Sequence, residues 1–212
     1  MIDSLPASIR VHRFLPLTEA EGPGKRACLW VQGCALRCPG CFNRETWDFC
    51  SGSLKTSHDL FCLVTEQPGI EGITFVGGEP FAQASALAEL GAACQRAGLS
   101  VVTFSGYDYP RLRNSAQPGW QALLDVTDLL LAGPFIKRQR DFSRPWVGSR
   151  NQEFVFLTER YRHLEPVIYS LPNQLEVQVL GAGSLRLNGM ASADAMARFS
   201  EDLARLGLRL IR

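Results

Sequence analysis

The 212-residue sequence predicts an α/β fold with a mostly parallel sheet. Three observations carry that prediction. Short apolar, β-branched runs alternate with longer stretches of helical composition over most of the chain. Several of the strand-like runs stop at glycine, at Gly33, Gly77 and Gly133. No internal repeat, low-complexity tract or long linker interrupts the alternation.

Arg26 to Gln32 is an apolar run ahead of Gly33 and reads as a buried strand. Thr56 to Glu66 opens with Thr, Ser and Asp near its start and then turns apolar, which suits a helix N-terminus. Ile73 to Val76 is strand-like and ends at Gly77-Gly78. Ala82 to Ala97 is rich in Ala and Leu and closes at Gly98, a helix with a glycine stop. Leu99 to Phe104 is again strand-like, Pro118 to Val126 helical, and Asp128 to Ala132 a strand stopped by Gly133-Pro134. The tail changes pattern. Leu175 to Leu180 and Leu185 to Asn188 alternate around a Gly-Ala-Gly-Ser turn, a hairpin signal. Ser192 to Leu206 then has helical spacing, with Gly207 as its stop. In a parallel α/β sheet, ligands gather at the C-terminal ends of strands. The segments to inspect therefore begin at Gly33, Gly77, Ser105 and Gly133.

Hydrophobic residues make up 46% of the chain and charged residues 20%, ordinary for a globular protein. The net charge of +1 argues against a nucleic-acid partner. Lys137, Arg138, Arg140 and Arg144 form a local basic cluster, equally readable as a solvated loop. No apolar run reaches the roughly 20 residues of a membrane span, and residues 1–13 lack the pattern of a signal peptide. The expected location is the reducing cytoplasm. There, seven cysteines read as metal ligands, reactive thiols or core residues rather than disulfides.

Three of them stand together. Cys34, Cys38 and Cys41 have gaps of three and two residues and can converge from one tight loop. Thiolates are the usual ligands of iron–sulfur clusters, normally four per cluster, so three leave one iron open. Zinc is the competing occupant, with Cys50 or His58 as a fourth ligand. Cys28, Cys62 and Cys94 lie in apolar segments and read as small core residues.

The C-x3-C-x2-C spacing resembles the hallmark of the radical S-adenosylmethionine (SAM) superfamily. Gly77-Gly78-Glu79-Pro80, after a strand, resembles its second hallmark. The more specific resemblance is to activating enzymes of glycyl-radical enzymes, above all the activase of anaerobic (class III) ribonucleotide reductase. Glu21 to Arg26 resembles that family's lead-in to the first strand, and Cys38 to Asn43 with Glu45-Thr46-Trp47 its cluster segment. Phe104 to Tyr107 resembles its Ser-Gly-Tyr loop. Gly133-Pro134-Phe135, Arg140-Asp141 and Gly148 to Gln152 resemble its later motifs. Two positions depart: Ala132 stands where the family has Asp, and Val147 where it has Arg or Lys.

The resemblance implies a partial (β/α) barrel of radical SAM type, with a core at residues 1–160 and a C-terminal hairpin and helix at 161–212. It implies a [4Fe-4S] cluster on Cys34, Cys38 and Cys41, the catalytic centre, with SAM on the fourth iron. Gly40, Cys41, Phe42, Gly77, Gly78, Glu79 and Ser105 are the implied SAM contacts, Phe42 near the adenine. Asn43 and Trp47 would shape the cluster loop, and Arg26 would balance cluster charge or form a surface ion pair. Arg140, Arg150, Asn151 and Gln152 would touch the partner or the SAM carboxylate. The implied chemistry is one-electron reduction by flavodoxin or ferredoxin, cleavage of SAM to a 5'-deoxyadenosyl radical, and hydrogen abstraction from a glycine of a glycyl-radical enzyme. Two alternatives remain: a radical SAM enzyme acting on a small molecule or peptide, as 7-carboxy-7-deazaguanine synthases and natural-product enzymes do, and a non-catalytic metal-binding module.

Overall fold

Strand β2 (Arg26–Val31) is buried at every position, as the apolar run Ala27–Val31 requires of a strand covered on both faces. The computed structural model describes residues 7–179 and 184–210. Around β2 it builds a seven-stranded sheet. The strands are β1 (Ser8–Thr18), β2, β3 (Ser53–Thr56), β4 (Gly72–Gly77), β5 (Ser100–Ser105), β6 (Leu129–Ala132) and β7 (Glu153–Phe156), in the order β3-β1-β2-β4-β5-β6-β7.

The four central strands β2, β4, β5 and β6 are parallel, as expected. Both flanks are antiparallel: β1 pairs with β2 and β3, and β7 pairs with β6. The sheet is therefore mixed rather than parallel throughout, and it stays open. β1 was not legible in the sequence. Its pairing with β2 has two register irregularities, and Pro16 lies beyond the reach of β3, on a free edge.

The two sheet faces are covered differently. Helices α1 (Ser57–Thr65), α2 (Ala84–Arg96), α3 (Tyr109–Arg113) and α4 (Trp120–Asp125) all contribute to one apolar cluster with Leu29, Phe75, Val101 and Leu130. The expected helices are present with shifted starts. Thr56 caps α1 by accepting from the Asp59 N–H, whereas α2 is preceded by a 3-10 turn over Pro80–Gln83. Gly119, left-handed at φ 81°, delays α4 to Trp120. On the other face, Val102, Leu129 and Leu131 pack against Trp146, Val147, Tyr161 and Ile168, while Leu15, Cys28, Trp30 and Val76 form a smaller cluster.

The tail forms a second sheet in the order β10-β9-β8, from β8 (Leu175–Val179), β9 (Ser184–Gly189) and β10 (Arg209–Leu210). The expected hairpin strands and closing helix, α5 (Ala193–Arg205), are present; the turn joining the strands lies outside the described residues. This sheet is fastened to β1. Thr18 Oγ1 donates to Glu176 at 2.6 Å, and Asn188 bridges Thr18 (2.8 Å) and Arg13 (3.1 Å).

Arg26 neither faces the cysteine loop nor forms a surface ion pair. It is fully buried at the N-terminal end of β2, and each of its five N–H groups has a partner: Thr74, Pro23, Tyr161, Ile73 and Ser100. Cys28 and Cys94 are core residues as expected, Cys62 is half-buried, and Cys50 is exposed.

Candidate functional site

The C-terminal ends of β2, β4, β5 and β6 stand side by side because the strands are parallel and in register, so the loops that leave them converge. The cysteine loop leaves β2. Its far end is tied back beneath its start: the Gly33 N–H donates to Thr46 O (2.8 Å) and the Cys34 N–H to Trp47 O (3.2 Å). Gln32, 1% exposed, completes the closure by donating to the carbonyls of Glu45 and Asp48. The sequence reading passed over Gln32; its only signal is a polar residue ending an apolar strand.

Within the loop, Cys34 is buried and Cys38 and Cys41 are partly exposed. Burial raises the Cys34 thiol above its usual pKa, opposed by the N–H groups of Leu36 and Arg37. Arg37 adopts φ 46°, a conformation rare for a side chain of this size. Burial likewise raises Cys38, opposed by the N–H of Phe135 from the loop after β6. Cys38 in turn bears electrostatically on Cys34, and Cys41 on Cys38. Among the described residues, no three His, Cys, Asp or Glu side chains are gathered onto a common metal position. The thiols share a loop without closing on one centre. Cys50 is exposed, and its N–H donates to Asp48.

Gly77 and Gly78 lie against the root of this loop. The Gly78 N–H donates to Val31 O and the Glu79 N–H to Gly33 O. A Cβ on Gly78 would sit 2.4 Å from the Gly33 carbonyl oxygen. The glycine requirement here comes from backbone meeting backbone. Glu79 is 2% exposed and accepts from the Phe81 N–H (3.0 Å), Ser105 Oγ (3.0 Å) and the Gly106 N–H (2.8 Å). Burial pushes its pKa up to about 7 in spite of these donors. Ser105 also accepts from the Tyr107 N–H, and Leu36 of the cysteine loop presses on Gly106. Glu79 and Ser105 thus lock three strand ends together, with their hydrogen-bonding groups turned to protein partners.

Phe42, beside the third cysteine, is 56% exposed. Its ring meets Phe135 (centroids 5.6 Å apart) and Phe142 (5.9 Å), and the Arg140 guanidinium lies 5.9 Å from it. Phe142 and the wall made by these rings were not anticipated. Gln152 and Asn151 turn inward: Gln152 accepts from the Gly148 and Ser149 N–H groups and donates to Gly133 O, and Asn151 donates to Pro134 O. Arg144 is drawn to the carbonyls of Ser149 and Gln152. Of the basic cluster, Lys137, Arg138 and Arg140 remain exposed, as does Arg150. Both departures from the family pattern are buried: Ala132 in the helix-side core, Val147 against Trp146 on the opposite face. Asn43 O accepts from Thr46 Oγ1, closing the turn after Cys41, while Trp47 lies beneath Arg44.

Residues 20–155 match the family model described as "4Fe-4S single cluster domain". The anaerobic ribonucleoside-triphosphate reductase-activating protein of Vibrio cholerae serotype O1 is 34% identical over 66% of this chain and 94% of its own length. The pyruvate formate-lyase-activating enzyme of Clostridium pasteurianum is 30% identical over 58% of this chain and 50% of its own. Among solved structures, QueE from Escherichia coli aligns with 96% of this chain and 92% of its own at 15% identity, with a TM-score of 0.44, too distant to bear on function. The matched segment contains the cysteine loop, Gly77-Gly78, Ser105 and the loop after β6, and the chain belongs to the 4Fe-4S single cluster domain family, in its radical SAM branch of activating proteins.

Proposed function

We propose that the chain is a radical SAM activase that generates the glycyl radical of an anaerobic ribonucleotide reductase or a closely related enzyme. The observation that carries this reading is the meeting of the cysteine loop, Gly77-Gly78, Ser105 and the loop after β6 at the C-terminal ends of four parallel strands, in a chain of the activating-protein branch.

Cys34, Cys38 and Cys41 would hold the [4Fe-4S] cluster. The donor set fits by its chemistry: three free thiols on one loop, two of them partly exposed. When bound, the cluster and SAM supply reductive cleavage to a 5'-deoxyadenosyl radical, which abstracts hydrogen from a glycine. The chain's own residues orient and shield. Gly40, Cys41 and Phe42 would line the SAM site, with the Phe42 ring as an exposed platform for the adenine. Gly77 and Gly78 would offer it backbone. Glu79 and Ser105, fully engaged with protein partners, would act by fixing that backbone rather than by direct contact.

We read the open sheet, helix-covered on one face, as a partial (β/α) barrel of radical SAM type. Residues 1–160 would be its core and 161–212 an extension packed on it, fastened through Thr18, Glu176 and Asn188. The electron donor would be an acidic flavodoxin or ferredoxin. Residues 34–47 and 133–152 carry seven basic and two acidic side chains in a chain of net charge +1, and exposed Arg37, Arg44, Lys137 and Arg138 edge the cysteine loop.

The test is to combine reconstituted protein, SAM and a reductant with the anaerobic reductase from the same source. Formation of 5'-deoxyadenosine with a glycyl doublet in the electron paramagnetic resonance (EPR) spectrum supports the proposal. SAM cleavage stimulated only by a small molecule, with no radical on the reductase, sinks it in favour of a small-molecule enzyme.

A further inference from the structure

The loop after β6 does more than surround the cysteine loop. Phe135 is wedged between two glycines. A Cβ on Gly40 would come 3.4 Å from the Phe135 ring, and one on Gly148 would come 3.3 Å from its other side. The Phe42 ring packs on Phe135. One residue of the 133–152 loop therefore packs on both the glycine before the third cysteine and the aromatic after it.

The position of that wedge is set from behind. Gln152 uses both ends of its amide. Its Oε1 accepts from the N–H groups of Gly148 (2.8 Å) and Ser149 (3.1 Å), and its Nε2 donates to Gly133 O (3.2 Å). Asn151 Nδ2 donates to Pro134 O at 2.7 Å, one residue before the wedge. Ser149 Oγ accepts from the Ile136 N–H, one residue after it. The backbone on both sides of Phe135 is thus pinned to the Gly148–Gln152 turn.

We propose that Gln152 and Asn151 are positioning residues that seat Phe135 against the cysteine loop, and so hold Gly40, Cys41 and Phe42 in place for the cluster. The inference rests on the assignment of Cys34, Cys38 and Cys41 as cluster ligands. Groups that orient first ligands without touching the metal typically cost 10–100-fold in metal affinity or activity when removed. Hydrogen bonds to the sulfurs and solvent exposure also tune a cluster's potential, so a ligand loop that shifts from its place changes that potential.

The experiment compares reconstituted wild type with Gln152→Ala, Asn151→Ala and Phe135→Ala. Glu153→Ala is the control: it directly follows the same turn, at the start of β7, with its side chain exposed. The readouts are the rate of iron loss to a chelator and the midpoint potential from an EPR-monitored titration. Gln152→Ala, Asn151→Ala and Phe135→Ala should each lose iron faster, roughly 10-fold for Gln152→Ala and Phe135→Ala, with a shifted potential, while Glu153→Ala matches wild type. Should Gln152→Ala fail to fold, Phe135→Ala alone decides, because it removes the wedge and leaves the clasp. Iron loss and potential unchanged in Phe135→Ala, or in a folded Gln152→Ala, overturn the proposal, even if thermal stability falls. A wild-type chain that takes up no cluster overturns the ligand assignment beneath it; the brace alone fails when wild type holds its cluster and the variants hold it equally well.

Discussion

The two ends of the central parallel strands are built on opposite principles. At the N-terminal end, the fully buried Arg26 has a partner for each of its five N–H groups, one of them the Tyr161 hydroxyl from the segment after β7. At the C-terminal end, glycines bring backbones together, Cys38 and Cys41 are only partly covered, and Phe42 is open to solvent. A buried guanidinium is tolerable only when every donor is satisfied, so the first end is rigid and specific. The second end keeps donors and surface available for a ligand. The comparison teaches that this sheet separates stability from chemistry, placing satisfied buried polar groups at one end of its strands and the outgoing loops at the other.

The contrast can be broken most sharply at the cysteines. Alanine at Cys34, Cys38 or Cys41 should abolish cluster binding and SAM cleavage while leaving the circular dichroism spectrum folded; Cys50→Ala should change neither. Arg26→Met should do the reverse. Removing the donor shared by Thr74, Tyr161, Ser100 and the Pro23 and Ile73 carbonyls from this buried site should cost about 3–5 kcal/mol in denaturant unfolding, while the molecules that remain folded still take up cluster. Gly78→Ala joins the two ends of the argument. Its Cβ collides with the Gly33 carbonyl, so about 2–4 kcal/mol of stability should be lost, and cluster retention should fall with it.

The smallest effect concerns Glu79. Its folded pKa of about 7 lies above the ordinary 4.5, so folding favours its protonated form. The stability this contributes is complete below about pH 4.5 and is lost as pH rises through about 7, by at most about 3 kcal/mol. Unfolding measured from pH 4.5 to 7.5 should show that decline in wild type. Glu79→Gln should be flatter, and weaker at pH 5, because its amide nitrogen cannot accept from the Gly106 N–H.

Much of this was readable in advance. β2, β4, β5 and β6 announced themselves because strands buried on both faces are mostly apolar and β-branched, and theirs are short runs of that kind. The cysteine loop and Gly77-Gly78 stood out because together, in this order, they resemble the two hallmarks of the radical SAM superfamily. What stayed hidden depended on partners distant in sequence. β7 is four partly buried residues whose strand character comes from pairing with β6. Arg26 looked like a surface or cluster-facing charge until Tyr161, 135 residues on, closed over it. Glu79, Asn151 and Gln152 read as ligand contacts, yet their hydrogen-bonding groups face the protein's own loops. Phe42, Phe135 and Phe142 form a wall only because the loops after β2 and β6 meet.

The most direct test of the central claim is anaerobic reconstitution with iron and sulfide, reduction with dithionite, and EPR recorded with and without SAM. The account predicts a [4Fe-4S]+ signal that changes shape when SAM is added, kept in Cys50→Ala and lost in Cys41→Ala. A signal indifferent to SAM, or tightly bound zinc in place of a cluster, would contradict it.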